Sequence, residues 1–347
     1  MFKKILPIPM LVLLPAFLFA QTIRILTQKE KISLRGLSVV NDSVIWASGN
    51  QGTIAKSTDG GSTWLWTNVP GCTTADFRDI EVLNQNTAIA MATTKPALLL
   101  RTEDGGKSWC QVFKDTSLFL DAMDFLGANG AVVADPVNNK MVLLSSNDWG
   151  NTWTKEAVDN VLETKDGEAF FAASGTNIKL AEEEGNMYKL LVSGGKASRL
   201  FIIDAAAPII IPIVQGKETT GANAVAVSPK FHEKLSENEP IGIIVGGNFN
   251  EPESSTQNCV LFGFDLAKNE PYFIQPKTLP SGYKSSVVYI DDKKLVSCGT
   301  SGVDVSEDGG YIWRHISNES FHVCQKAKQG EAVFLAGSNG KIAKLLW

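Results

Sequence analysis

The chain has 347 residues, 44% of them hydrophobic and 20% charged, enough for one large repeat domain or two smaller ones. A net charge of −5 provides no basic footprint of the kind that phosphate binding relies on, so no nucleic-acid partner is expected.

The first twenty residues place Lys3 and Lys4 ahead of an apolar run that ends at Ala20. This is the layout of a secretory signal peptide, so cleavage after Ala20 is expected to leave residues 21–347 in the periplasm or outside the cell. No cysteine follows the cut, which argues against a lipid anchor, and no later apolar run approaches the roughly 20 residues of a membrane span. "TIRILTQ", residues 22–28, then reads as a single spare strand.

From Leu34 onward, short β-branched or alternating runs are punctuated by Asn, Asp and Gly, the pattern of antiparallel strands joined by tight turns. One eight-residue box recurs among them: "STDGGSTW", "TEDGGKSW", "SNDWGNTW" and "SEDGGYIW". Its aspartates, Asp59, Asp104, Asp148 and Asp308, are 45, 44 and 160 residues apart, and the last gap equals four units of 40. Four strands per unit of about 40 residues make a propeller blade. Seven units begin near Leu34, Phe77, Phe119, Glu168, Ala222, Tyr283 and Phe321. The seventh has only three strands before Trp347. The fold class is therefore all-β: a single seven-bladed propeller of four-stranded antiparallel blades over residues 21–347, its last blade completed by the N-terminal strand, which removes an exposed edge.

A motif repeated four times around a ring marks scaffold rather than chemistry. Ser or Thr and the following Asp exchange hydrogen bonds with the turn, glycine supplies backbone conformations closed to other residues, and the final Trp packs as an apolar plug. Asp59, Trp64, Asp104, Trp109, Asp148, Trp153, Asp308 and Trp313 are accordingly read as structural. The fourth box has Ile312 where the others have Thr or Ser, which predicts weaker hydrogen bonding there.

Function is sought where the innermost strands begin, because those positions converge on the mouth of the central channel. They hold Arg35, Arg78, Asp121, Glu168, Asn223, Lys284 and His322. One reading is a set of solvated strand ends with weak ion pairs. The sharper one is a recognition ring whose arginines grip a carboxylate or a peptide terminus. Its mixed signs suit a polar peptide or a small zwitterion. An enzymatic variant uses Asp121 and Glu168 as an acid/base pair for glycoside cleavage.

No metal is expected, since His232, His315 and His322 lack ligand spacing, and no cofactor, since "IIVGGNFNEPESSTQN" contains no phosphate-binding glycine pattern. Its part from Gly247 to Asn258 reads as a long exposed loop in the fifth blade. The five cysteines lack paired spacing, and being odd in number they leave at least one unpaired within the chain.

The boxes resemble the Asp-box (BNR) repeat of sialidases, sortilin-type receptors and photosystem II assembly-factor-like propellers. The wording "LRGLSVVNDSVIWASGNQGTIAKSTDGGSTW", with "FRDIEVL", "GYKSSVVYI" and "GSNGKIAKL", is most similar to bacterial relatives of the photosystem II stability/assembly factor. That resemblance covers residues 33–347 and implies a seven-bladed propeller with an interaction role. The sialidase resemblance implies an arginine triad and an early Phe/Tyr-Arg-Ile-Pro motif; here Phe77–Ile80 reads "FRDI", which departs from it. The expected function is thus a monomeric, non-enzymatic propeller that binds a protein or peptide of the cell envelope, with a sialidase-like glycoside hydrolase as the alternative.

Overall fold

Seven antiparallel sheets form a ring in the computed structural model, which describes residues 21–347 apart from 94, 157–162, 184, 204–205, 232, 235–238, 266 and 269. The proposed signal peptide, residues 1–20, and His232 lie outside the described residues.

Each blade runs from an innermost to an outermost strand. Blade 1 uses Leu34–Val39, Ile45–Gly49, Thr53–Ser57 and Leu65–Asn68. The innermost strands of blades 2 to 7 are Phe77–Val82, Leu120–Leu126, Ile178–Glu183, Thr220–Val227, Ser286–Tyr289 and Val323–Lys326. Blade 7 has three strands from the C-terminal end, and Thr22–Thr27 adds the fourth by pairing antiparallel with Ile342–Leu346. Joining the two ends of the chain in one sheet closes the ring.

Inner strands are buried at nearly every position because both faces of each sheet meet a neighbouring blade. The described residues accordingly form seven hydrophobic clusters, each bridging one pair of adjacent blades. Trp46, fully buried, anchors the cluster between blades 1 and 2. The five cysteines are all free thiols, with Cys259, Cys298 and Cys324 buried.

The four boxes occupy the turns between third and fourth strands. In the first, Asp59 accepts hydrogen bonds from the Thr63 amide (2.9 Å), the Thr63 hydroxyl (2.6 Å) and the Ser57 hydroxyl (2.9 Å). Ser57 Oγ in turn accepts the Gly61 amide at 2.9 Å, and Trp64 Nε1 donates to the Gly61 carbonyl at 3.1 Å. Gly61 has φ +88°, a conformation that favours glycine, and a Cβ there would also press on the Leu26 methyl of the neighbouring blade, 2.4 Å away. Asp308 keeps the Ser306 hydroxyl at 2.8 Å but lacks the second hydroxyl bond, because Ile312 offers only its amide, at 2.9 Å.

These bonds hold the Asp59 carboxyl down to about 2, chiefly through the Thr63 hydroxyl and amide; Thr152 does the same for Asp148, also to about 2, and Ser108 pulls Asp104 below its usual range. A depressed folded-state pKa gives stability that is present above the unfolded value and lost as pH falls through the folded one. The thermal midpoint is therefore expected to fall between about pH 4 and pH 2. Replacing Asp59, Asp104 and Asp148 by Asn should flatten that fall in a pH series of melting curves; an equally steep decline in the triple variant would refute the assignment.

Candidate functional site

Four inner strands begin with the same irregularity. In blade 1, Leu34 faces Gly49 but Gly36 faces Ser48, so Arg35 is skipped by the pairing. Blade 2 skips Arg78 between Phe77 and Asp79, blade 3 skips Asp121 between Leu120 and Ala122, and blade 5 skips Asn223 between Ala222 and Ala224. Such a bulge bends its strand and re-aims the extra side chain, here at one end of the channel.

Arg35, Arg78, Asn223 and His322 line a cavity of about 440 Å³ at that end, together with Asp135 and a set of aromatic rings. Its floor comes from a segment whose sequence reads as strand. Residues 170–177 lie across the channel: Arg35 Nη1 donates to the Ala173 carbonyl at 3.0 Å and Arg78 Nη1 to that of Ala172 at 3.3 Å. Farther along, Ser174 Oγ donates to the Ser285 carbonyl at 2.6 Å, and the Thr176 carbonyl accepts the Val225 amide at 2.9 Å. Gly175 and Thr176 then face a second cavity of about 300 Å³ at the far end of the inner strands. Gly175 has φ +69° and lies so close to the Asp79 carboxyl that a Cβ would approach it to 2.3 Å, so only glycine lets the segment pass.

The charges around the upper cavity are unequal. Arg78 pairs with Asp76 at 2.8 Å. Arg35 is half-buried and, among the described residues, has no carboxylate within ion-pair distance; the Ala173 carbonyl is its hydrogen-bond partner. Burial, and next the neighbouring Arg78 charge, lower the Arg35 pKa from its ordinary value. The same causes, burial first and then Arg35 and Arg78, push His322 down to about 3, so its imidazole is neutral at physiological pH. His322 Nε2 meets Ser338 Oγ at 2.9 Å. Asn223 accepts the Tyr283 hydroxyl at 2.8 Å through its amide oxygen.

Three ring positions do not reach this cavity. Glu168 stands ten residues ahead of the true inner strand of blade 4, on the short strand Glu168–Ala169 paired with Gly194–Gly195. Its carboxylate is fully buried and held by Arg199 (Nη2 at 2.6 Å, Nε at 3.0 Å), by Ser193 Oγ and by the Lys165 amide at 2.7 Å. Lys284 points back into blade 6, where it pairs with Asp304 at 2.5 Å. Asp121 shares the bulge position of Arg35, yet burial raises its pKa well above the usual range, with the Asp135 charge adding to the effect. Neither of its oxygens makes a hydrogen bond of good geometry.

Conversely, the sequence reading missed Asp135, Phe171, Phe249 and Tyr283 on the cavity wall. Phe249 carried one usable signal, an aromatic ring inside an Asn-, Glu- and Ser-rich loop. Among the described residues, no three His, Cys, Asp or Glu side chains converge as a metal site.

No family model matches the chain, and no curated protein matches its sequence. Solved structures do resemble it along nearly its whole length. The structure described as "YCF48 bound to D1 peptide" has a TM-score of 0.62 and 15% identity, over 94% of this chain and 97% of that one. "YCF48 from Cyanidioschyzon merolae" has a TM-score of 0.60 and 17% identity, over 94% and 98%. At these identities the likeness shows that this chain shares the fold of those proteins.

Proposed function

We propose that the chain is a non-enzymatic, peptide-binding propeller of the photosystem II stability/assembly factor-like, Asp-box kind, and that it takes a carboxylate-bearing segment of a protein partner at the Arg35 and Arg78 end of its channel. The observation that carries this reading is Arg35. A guanidinium drawn out of water beside a second one, hydrogen-bonded to a carbonyl and, among the described residues, with no carboxylate in ion-pair contact, is held in a state that an anionic ligand would relieve. A solved propeller of the same fold holds a peptide, which supports the choice of ligand class. The glycosidase reading gains no support, since Asp121 and Glu168 are both buried off the cavity wall.

The proposed setting is the periplasm or cell exterior, where the protein works as a monomer in the assembly or stabilisation of an envelope partner. The closing strand begins at Thr22, so removal of residues 1–20 leaves the ring intact. Mass spectrometry of the protein recovered from the native envelope fraction should find Gln21 at its N-terminus. A chain still beginning at Met1, recovered from the cytoplasm, would refute the location.

The binding reading is tested on an array of short peptides with free or amidated carboxyl groups. The processed protein is expected to retain carboxylate-bearing peptides, and the Arg35→Ala/Arg78→Ala variant to lose them. Equal retention by both would refute the site.

A further inference from the structure

The cavity has a second wall whose chemistry is apolar. Phe249 follows the second strand of blade 5 in the turn-rich stretch 247–258, and that stretch is pinned. The Phe249 amide donates to the Thr219 carbonyl at 3.1 Å, the Glu251 amide to Asn248 at 3.0 Å, and the Tyr283 amide to the Pro252 carbonyl at 2.7 Å. A phenyl ring 45% exposed thus stands on a fixed support. It meets Phe171 edge-on, with centroids 6.2 Å apart and planes at 83°, and Tyr283 likewise at 6.4 Å and 81°. Tyr283 cannot turn away, because its hydroxyl is bonded to Asn223. Phe171 is set against Gly194, where a Cβ would come within 2.3 Å of its ring.

Solvent-exposed aromatic surface held in one geometry, in the same cavity as a guanidinium that makes no ion pair among the described residues, has the composition of a small recognition pocket. We propose that Phe171, Phe249 and Tyr283 form a side-chain subsite that selects a bulky apolar residue lying next to the ligand's carboxylate. The proposal rests on the peptide-binding reading and adds to it the identity of the neighbouring residue. That carboxylate belongs either to a chain terminus or to an acidic side chain.

Fluorescence anisotropy with labelled pentapeptides separates these sources. One series ends in Ser-Leu with a free carboxyl group; the other carries Leu-Asp internally with an amidated end; each has a counterpart with Ser in place of Leu. The Leu form of one series should bind the wild type about tenfold or more tightly than its Ser counterpart, and that series identifies the carboxylate source. In Phe249→Ala, whose ring is exposed, the preference should shrink to less than about twofold, with Phe249→Leu in between. Equal binding of Leu and Ser peptides to the wild type overturns the subsite, as does a preference that survives Phe249→Ala. If Arg35-dependent binding persists without a Leu preference, only the subsite falls. If neither series binds, the peptide-binding reading falls with it.

Discussion

Arg35→Ala is expected to weaken binding of a carboxylate-bearing peptide by about 100-fold, while the thermal midpoint stays level or rises. Truncating one partner of a desolvated charge pair typically costs about 2–5 kcal/mol of binding, and a factor of 100 is about 2.7 kcal/mol. In the free protein the balance runs the other way. The variant loses one hydrogen bond to the Ala173 carbonyl, a net contribution of about 1 kcal/mol, and is relieved of a partly desolvated cation and of its repulsion with Arg78. Arg35→Lys keeps the charge without the planar fork, so intermediate affinity is expected. Anisotropy titrations paired with melting curves check both halves. A lowered midpoint with unchanged affinity would show instead that Arg35 serves only to tie residues 170–177 across the channel.

The ring architecture was legible because it is written as a period. The boxes set a unit near 40 residues, and "TIRILTQ" supplied the strand that the last unit lacked, which the pairing of Thr22 with Leu346 realises. The blade 4 boundary was not legible. "EAFFAASGTNIKL" reads as one apolar run, but residues 170–177 leave the sheet and cross the channel. Burial against a blade and burial inside a channel select the same small and apolar residues, and sequence does not separate them. Lys284 shows a second limit. In blade 6 the cavity is reached by Ser285, one residue later, while Lys284 occupies the place that Leu34 takes in blade 1, its amide bonded to the preceding blade at Gly246 and its side chain turned into its own blade. Phe249 and Phe171 meet only through tertiary structure, so no local pattern joins them.

Lys284→Met is expected to destabilise the protein by roughly 3–5 kcal/mol, the usual consequence of removing one partner of a buried ion pair. Lys284 and Asp304 are 0% and 1% exposed, and Lys284 Nζ also donates to Ser301 Oγ and the Gly302 carbonyl, both at 3.1 Å. Without the ammonium, Asp304 keeps the Ser281 amide at 3.0 Å and His315 Nδ1 at 3.3 Å on one oxygen, and the other is left buried without a hydrogen-bond partner. Lys284→Met/Asp304→Leu removes both charges and should recover much of the loss, because the penalty lies in the stranded carboxylate rather than in the missing attraction. Denaturant unfolding of the two variants measures the difference. A double variant no more stable than the single one would assign the loss to packing. The contrast with Arg35 is the sharpest physical statement the ring makes. Of the three cations at the starts of inner strands, Arg78 is paired with Asp76, Lys284 with its buried carboxylate is predicted to hold a blade together, and Arg35, with no carboxylate in ion-pair contact among the described residues, is predicted to hold a ligand.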